Sequence, residues 1–260
     1  MELLFVTCAS ALAGFIDAIV GGGGLVLVPA LFAAYPSAPA ATMLGTNKSA
    51  SVWGSAFAAY QYSRRVNFKW SVALPGVAAC LVGSGLGAWA LLYVPSDSLR
   101  RALPFVLAGV LLYTLVNKNL GQTHAPRYAG RAESWIAATI GLTVGLYDGF
   151  FGPGTGSFFV FLLVRVLGYD FLAASAHAKL FNMASNFSAF ALLAYKGHVW
   201  WHITLYLIAA NLIGSFFGAK LAMKHGAGFV RWVFIFVVTM LIAKTGYDCL
   251  LYTSPSPRDS

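Results

Sequence analysis

The chain has 260 residues, of which 59% are apolar and only 10% are charged. Soluble domains carry about 25% charged residues, so this composition excludes an ordinary soluble protein and is typical of one that lies in a membrane. The net charge of +9 is explained by the basic residues that membrane proteins place in cytoplasmic loops, and it predicts no nucleic-acid partner.

Ten apolar segments follow one another along the chain. Several reach the roughly 20 residues that a membrane-spanning helix needs, and none shows the alternation of a barrel strand. The sequence therefore predicts an all-α polytopic membrane protein in contact with the lipid bilayer. The predicted segments are 3–20, 25–35, 40–60, 70–94, 99–117, 133–147, 157–168, 171–195, 200–219 and 229–247.

The first two segments are separated by four consecutive glycines, Gly21 to Gly24. Each glycine costs about 1 kcal/mol relative to alanine inside a helix, so this run predicts a break. Asp17 lies one turn before the break. The chain thus interrupts a buried helix and places a carboxylate beside the interruption.

The same pattern recurs in the second half of the chain, where Asp148 takes the place of Asp17. When the halves are aligned without gaps on these two aspartates, 20 of the 101 positions between 14 and 114 are identical to their counterparts. We call the spacing from Asp17 to Asp148 the repeat offset. It also carries Lys48 onto Lys179, and both aspartate and lysine are rare in a membrane segment. We interpret the chain as an internal duplication.

The two repeats, 1–118 and 133–248, are predicted to lie in the membrane with opposite orientations. Basic residues are concentrated in loop 61–70 of the first repeat but in loop 220–231 of the second, and basic loops stay cytoplasmic. Opposite orientation requires an odd number of crossings in each repeat. Each glycine break therefore predicts a hairpin of two short helices, which gives about ten helical segments, and the polar linker 119–132 is cytoplasmic.

The last residues, 249–260, change abruptly to a polar composition rich in serine and proline. Such a change is typical of a vector-derived sequence appended to a reading frame, so we expect no role for these residues in the fold. A short disordered tail is the alternative.

The glycine breaks predict an anion site near the middle of the membrane. Irregular backbone at that depth is tolerated only inside protein or beside water, and a helix that begins there offers free N–H groups and the positive end of its dipole. Close helix packing is the alternative, and we favour it for the pairs Gly83/Gly87 and Gly214/Gly218. The residues of the breaks that are predicted to bind substrate are Gly21, Gly22, Gly23, Gly24, Gly152, Gly154, Thr155, Gly156 and Ser157.

Two lysines, Lys48 and Lys179, lie within apolar segments at matching positions of the repeats. A charge inside the membrane costs at least about 2.5–3.5 kcal/mol on insertion scales, which makes it a candidate functional group. The matching positions predict one cationic site that both repeats build. Snorkelling of the lysines to the membrane surface is the alternative.

Other polar residues in these segments complete the predicted site. Asp17 and Asp148 are candidates for pairing with the lysines, for capping the half-helices and for binding a coupling proton, and the sequence leaves these roles open. Polar side chains of this kind also form hydrogen bonds that only pack helices together. The further residues predicted to bind substrate are Asn47, Lys48, His177, Lys179, Asn182 and Asn186.

Four stretches together resemble one known family. They are "GFIDAIVGGGGLVLVPAL", "GTNKSASVWGS", "YDGFFGPGTGSFF" and "AHAKLFNMASN". As a set they resemble the TauE/SafE family of membrane transporters, the sulfite-exporter-like permeases, over nearly all of residues 1–247. The resemblance implies a secondary carrier of small sulfur-containing or organic anions in the inner membrane of a bacterium.

We therefore expect a secondary transporter of small anions such as sulfite, sulfonates or related oxyanions, working by alternating access. Proton coupling is one option for the two aspartates, and an anion-selective channel, which needs an open path and weak sites, is the alternative function. The sequence contains no recognisable nucleophile–base pair, metal-binding cluster or nucleotide-binding loop, so we predict no enzyme activity, cofactor or metal.

Overall fold

A computed structural model describes residues 1–99, 101–102, 105, 109 and 125–252, without the side chains of 226–231 and 233–252. The secondary structure in these ranges is entirely helical, which confirms the predicted all-α class. The helices are α1 (Glu2–Val20), α2 (Gly24–Ala34), α3 (Ala40–Ser63), α4 (Trp70–Leu91), α5 (Gly130–Phe150), α6 (Thr155–Leu162), α7 (Phe171–Tyr195) and α8 (Trp201–Tyr252), with a π-helical turn at Leu163–Leu167 after α6.

Within the described part of the chain, three helices are long and apolar enough to cross a membrane: α1, α4 and the Trp201–His225 part of α8. Helix α2 and the combined stretch Thr155–Leu167 are shorter apolar helices. Large apolar side chains such as Leu4, Trp135 and Leu205 are exposed on the outer surface. Apolar surface on this scale marks contact with lipid or another apolar partner.

The helices break at both predicted positions. Helix α1 ends at Gly21, which adopts a left-handed φ of 84°, and the glycine before α6, Gly154, has a φ of 83°. The two breaks touch each other, because the Ser157 N–H donates to the Gly21 carbonyl at 2.9 Å. A Cβ atom on either Gly21 or Gly156 would overlap the backbone of the other. The breaks therefore meet face to face inside the protein.

The packing of the long helices repeats between the two halves of the chain. Helix α1 packs against α8, and α4 packs against α5. In each contact a glycine lies against a backbone carbonyl of the facing helix: Gly214 on Ala11, Gly218 on Phe15, Gly83 on Leu142 and Gly87 on Leu146. The repeat offset exchanges the first two contacts with the last two. The packing role predicted for these four glycines is confirmed, whereas the opposite orientation of the repeats in the membrane stays a prediction.

One pair of predicted segments is a single helix in the structure. The segments 200–219 and 229–247 both lie within α8, which runs without interruption to Tyr252. No proline interrupts this stretch, and the glycines at 226 and 228 weaken a helix by about 1 kcal/mol each without forcing it to end. Helix α8 also includes the first four residues of the predicted tail, and residues 253–260 lie outside the described part of the chain.

The linker between the repeats is described from residue 125 onwards. The N–H groups of Ala125 and Arg127 donate to the carbonyls of Gly168 and Leu167 at 2.9 and 3.0 Å. These bonds hold the end of the linker against the turn that follows α6. Most of the predicted segment 99–117 and the first part of the linker lie outside the described residues.

Candidate functional site

Both predicted lysines are buried inside the helix bundle. Lys48 is 1% exposed and Lys179 is fully buried. The Lys48 Nζ atom lies 2.6 Å from Asp148 Oδ1, and the Lys179 Nζ atom lies 3.7 Å from Asp17 Oδ2. Lys179 also donates to the backbone carbonyl of Asp17. Neither ammonium group extends to the surface of the protein, so the geometry is not that of a snorkelling lysine.

The ion pairs cross between the two repeats. Lys48 of the first repeat binds the aspartate of the second, and Lys179 of the second repeat binds the aspartate of the first. The repeat offset converts one ion pair into the other. The sequence left open whether the aspartates pair with the lysines, and the structure gives this reciprocal pairing. With two lysines and two aspartates, the opposite charges of the site balance.

Asp17 is held by donors from several helices. Its Oδ2 atom accepts from the Ser55 hydroxyl at 3.2 Å, and the Asn182 amide lies 3.3 Å from Oδ1 and 3.4 Å from Oδ2. The Gly23 N–H, just before α2, donates to Oδ1 at 3.5 Å. Together with Lys179, these donors give both carboxylate oxygens a partner.

Asp148 has a different environment. Its Oδ1 atom binds Lys48, whereas its Oδ2 atom is buried and has no hydrogen-bond partner among the described residues. The Oδ1 atom of Asn47 is also buried without such a partner. Buried acceptors are normally satisfied, so two such atoms close to one cavity mark it as a candidate polar binding site.

These groups surround a small polar cavity where the two breaks meet. Its volume is about 10 Å³, about the room that one water molecule needs. Sulfite and similar oxyanions are larger than water, so this conformation is closed to them. The lining residues are Asp17, Gly21, Gly24, Asn47, Lys48, Ser51, Asp148, Gly152, Gly154, Thr155, Gly156, Asn182 and Asn186.

Most of the predicted site residues belong to this lining or touch it. Lys179 reaches it through Asp17, and the Ser157 hydroxyl donates to the Val20 carbonyl at 3.3 Å, beside the lining residue Gly21. Gly22 and Gly23 lie in the same break but outside the lining. The Thr155 hydroxyl donates to the Gly152 carbonyl at 2.7 Å and so stabilises the second break.

His177 lies away from the cavity. Its ring packs against Phe68 and Tyr169, with centroid separations of 5.3 and 5.2 Å, and its Nε2 atom lies 3.4 Å from the Lys69 backbone nitrogen. His177 lies within the first two turns of α7, whereas Asn182, one to two turns later on the same helix, reaches Asp17. The position of His177 near the start of the helix therefore places it away from the cavity.

A second polar cluster surrounds this end of α7. Glu133 is 1% exposed, forms an ion pair with Lys69, and accepts a hydrogen bond from the Tyr169 hydroxyl at 2.6 Å. Burial and this hydrogen bond raise the pKa of Tyr169. The cluster ties the loop before α4 to the start of α5 and thus joins the two repeats.

The sequence reasoning missed Ser51 and Ser55. Both are small hydroxyl residues in a helix rich in alanine and glycine, where they are typical of helix packing. The duplication held the missing signal, since the repeat offset carries Ser51 onto Asn182 and Ser55 onto Asn186. Among the residues that the structure describes, no three His, Cys, Asp or Glu side chains form a group that could hold a metal ion.

Comparison with known proteins agrees with this architecture. Residues 6–245 match the family described as "Sulfite exporter TauE/SafE". The chain is similar to the "Probable membrane transporter protein YfcA" of Escherichia coli strain K12, with 37% identity over 238 residues, 91% of this chain and 87% of the relative. No solved structure matches the chain.

Two further relatives come from other bacteria. The "Probable membrane transporter protein ORF9" of Sinorhizobium is 35% identical over 242 residues, covering 93% of this chain and 91% of the relative. A "Probable membrane transporter protein" of Haemophilus influenzae is 34% identical over 256 residues, covering 95% of both chains. These names are those of transporters, which fits the prediction that the chain is not an enzyme. A helical protein with two contacting helix breaks and this similarity along nearly its whole length belongs to the TauE/SafE sulfite exporter family of membrane transporters.

Proposed function

We propose that the chain is a secondary transporter of small anions, such as sulfite, sulfonates or related oxyanions, in the bacterial inner membrane. The observation that carries this proposal is the reciprocal pair of buried lysines at the meeting point of the two helix breaks. Each lysine already binds an anion, namely the carboxylate of the other repeat. A substrate oxyanion carries the same oxygen ligands and is therefore a chemical substitute for that carboxylate.

The small cavity supports alternating access over a channel. In this conformation each lysine is paired with an aspartate, and the cavity has room for about one water molecule. A channel requires an open path with weak sites, whereas a carrier passes through closed states. Rocking of one repeat against the other would open the cavity to one side at a time, which is how repeats of broken helices give alternating access in other secondary transporters.

The same site offers a means of proton coupling. An anion binds to a buried lysine only after the competing carboxylate has withdrawn or become neutral, because the charges of the site balance. Protonation of an aspartate removes its negative charge and releases the lysine for the substrate. The proposal therefore links uptake of a proton to binding of an anion. Helical architecture favours the inner membrane, since spanning proteins of the bacterial outer membrane are β-barrels.

The test is transport by purified protein in proteoliposomes. Uptake of sulfite, sulfate, thiosulfate, sulfoacetate and taurine is measured with and without an imposed pH gradient, and labelled anion is followed into vesicles that are preloaded with unlabelled anion. A carrier gives saturable uptake and counterflow for at least one of these substrates. Uptake that rises linearly with concentration and shows no counterflow would support the channel instead, and no uptake of any of them would refute the proposed substrate class.

A further inference from the structure

The two aspartates of the site have unequal surroundings, although they occupy matching positions of the repeats. Asp17 accepts hydrogen bonds from Ser55, Asn182 and the Gly23 N–H in addition to its contact with Lys179. Every one of these bonds requires the carboxylate oxygen to act as an acceptor. A proton on Asp17 would have to displace one of these donors.

Asp148 lacks this set of donors. Its Oδ2 atom is buried and has no hydrogen-bond partner among the described residues, while Oδ1 is bound by Lys48 at 2.6 Å. Asn47, whose Oδ1 atom is also buried and unpartnered, lines the same cavity as Asp148. Two acceptors thus share a cavity in which neither receives a donor from the described part of the chain.

The inequality follows from two exchanged side chains. Under the repeat offset, the residues that correspond to the Asp17 donors are Ser51 for Asn182 and Asn186 for Ser55. The Asn186 amide donates to the carbonyl and side-chain oxygens of Asn182 at 2.7 and 3.0 Å, and not to Asp148. Both asparagines are therefore bound into the network around Asp17, and Asp148 is left with its lysine.

We propose that Asp148, and not Asp17, is the residue that binds the coupling proton, a refinement that rests on the proposed proton-coupled transport. A proton from the aqueous phase adds to Oδ2 and converts the carboxylate into a carboxylic acid, and no other covalent bond is made or broken. The new O–H group is a donor in a cavity that holds the unpartnered acceptor of Asn47. The negative charge beside Lys48 is removed, so the ammonium group becomes available to an anion.

The other charged and titratable groups around Asp148 favour a proton over a metal cation. Lys48 of α3 occupies the other oxygen of the same carboxylate, and a metal ion would be repelled by its ammonium group. Cys80 of α4 and Tyr147 on α5 itself lie within electrostatic reach of Asp148. Asp17 of α1 faces Lys48 from within the first repeat. Among these neighbours, Lys48 is the cation whose charge the proton would release.

Infrared difference spectroscopy of the purified, anion-free protein tests this assignment. Spectra recorded while the pH is varied detect the C=O stretch of a protonated carboxylic acid. Other carboxyl groups, Glu133 among them, give bands of their own, so the spectrum of each variant is subtracted from that of the parent. We expect the parent protein to contain a pH-dependent band that persists in Asp17→Asn and is lost from Asp148→Asn. A band that is lost in Asp17→Asn and retained in Asp148→Asn would overturn the assignment, as would the absence of any such band in the parent.

A second variant protects the test against misfolding. If Asp148→Asn does not give folded protein, Asp148→Glu retains a carboxyl group in a slightly different position and is expected to shift the band, whereas an unshifted band would refute the assignment. The measurement needs no transported anion. If the band depends on Asp148 but the transport assay fails, the result therefore counts against the proposed function alone. If transport is driven by pH but the band depends on Asp17, the result counts against this inference alone.

Discussion

The contact between the two helix breaks can be tested by adding one methyl group to a glycine. Gly21 combines two constraints, because it has a left-handed φ of 84° and because a Cβ atom there would overlap the backbone of Gly156. A non-glycine residue in the left-handed conformation costs roughly 1–2 kcal/mol. Forcing extra volume into a packed interior costs about 1–3 kcal/mol. We therefore expect Gly21→Ala to destabilise the protein by about 2–5 kcal/mol, as the sum of these two terms.

Two matched variants separate the two costs. Gly197 has a similar φ of 77°, and no atom lies within 4 Å of the place that an added methyl group would take, so Gly197→Ala carries only the conformational cost. Gly156 has no left-handed φ, and its Cβ atom would overlap the backbone of Gly21, so Gly156→Ala carries only the contact cost. The three variants form an additive set in which the loss for Gly21→Ala equals the other two losses combined.

Thermal unfolding of the purified protein in detergent provides the measurement. For a chain of this size, 1 kcal/mol corresponds to a change in Tm of about 2–4 °C. We expect Gly21→Ala to unfold about 2–12 °C below Gly197→Ala, since the contact cost is the difference between them. Equal Tm values for these two variants would show that the breaks do not meet as described.

The buried ion pair of Lys48, the basic loops and the hydrogen bond of Tyr169 can each be tested. Lys48→Met leaves the buried charge of Asp148 without its partner, so we expect it to lower the stability by about 3–5 kcal/mol and to abolish most transport. The double variant Lys48→Met/Asp148→Asn should recover stability but not transport. A single variant as stable and active as the parent would contradict the role of the ion pair. The basic residues lie in different loops of the two repeats, which predicts opposite orientations in the membrane. Single cysteines that replace Arg64 and Lys196 in a cysteine-free background should therefore react with membrane-impermeant reagents from opposite sides. Labelling of both from the same side would reject inverted repeats. Burial and the hydrogen bond to a carboxylate raise the pKa of Tyr169 in the folded state, so the stability that this hydroxyl contributes is present below about pH 10 and declines above it. The difference in unfolding free energy between the parent and Tyr169→Phe should therefore shrink above about pH 10. A difference that stays constant there would be inconsistent with this bond.

The positions of the helix breaks could be predicted from the sequence because glycine acts locally. A run such as Gly21–Gly24 is unfavourable in any helix, whatever surrounds it. The buried charges were also found from the sequence, since Lys48 and Lys179 are rare residue types in apolar segments and recur at one spacing. Local chemistry and internal repetition were therefore sufficient for these features.

The pairing within the site could not be predicted in the same way. The duplication matches Asp17 with Asp148, but it does not state whether a lysine binds the aspartate of its own repeat or of the other, because that depends on how the helices pack. Ser55 resembles an ordinary packing residue until its hydrogen bond to Asp17 is seen. His177 has the chemistry of a ligand but lies near the start of α7, beside Phe68 and Tyr169.

The reciprocal ion pairs have a consequence for the biogenesis of the protein. During synthesis the first repeat enters the membrane before the second, and at that stage Lys48 and Asp17 have neither of the partners that they bind in the finished structure. Each unpaired charge in the bilayer costs several kcal/mol, so the helices that carry them are poorly retained in lipid alone. We expect the first repeat to stay beside the insertion machinery, or in contact with water, until Asp148 and Lys179 arrive. Assembly of this protein is thus completed only when its second half has been made, and each half acts as the folding partner of the other.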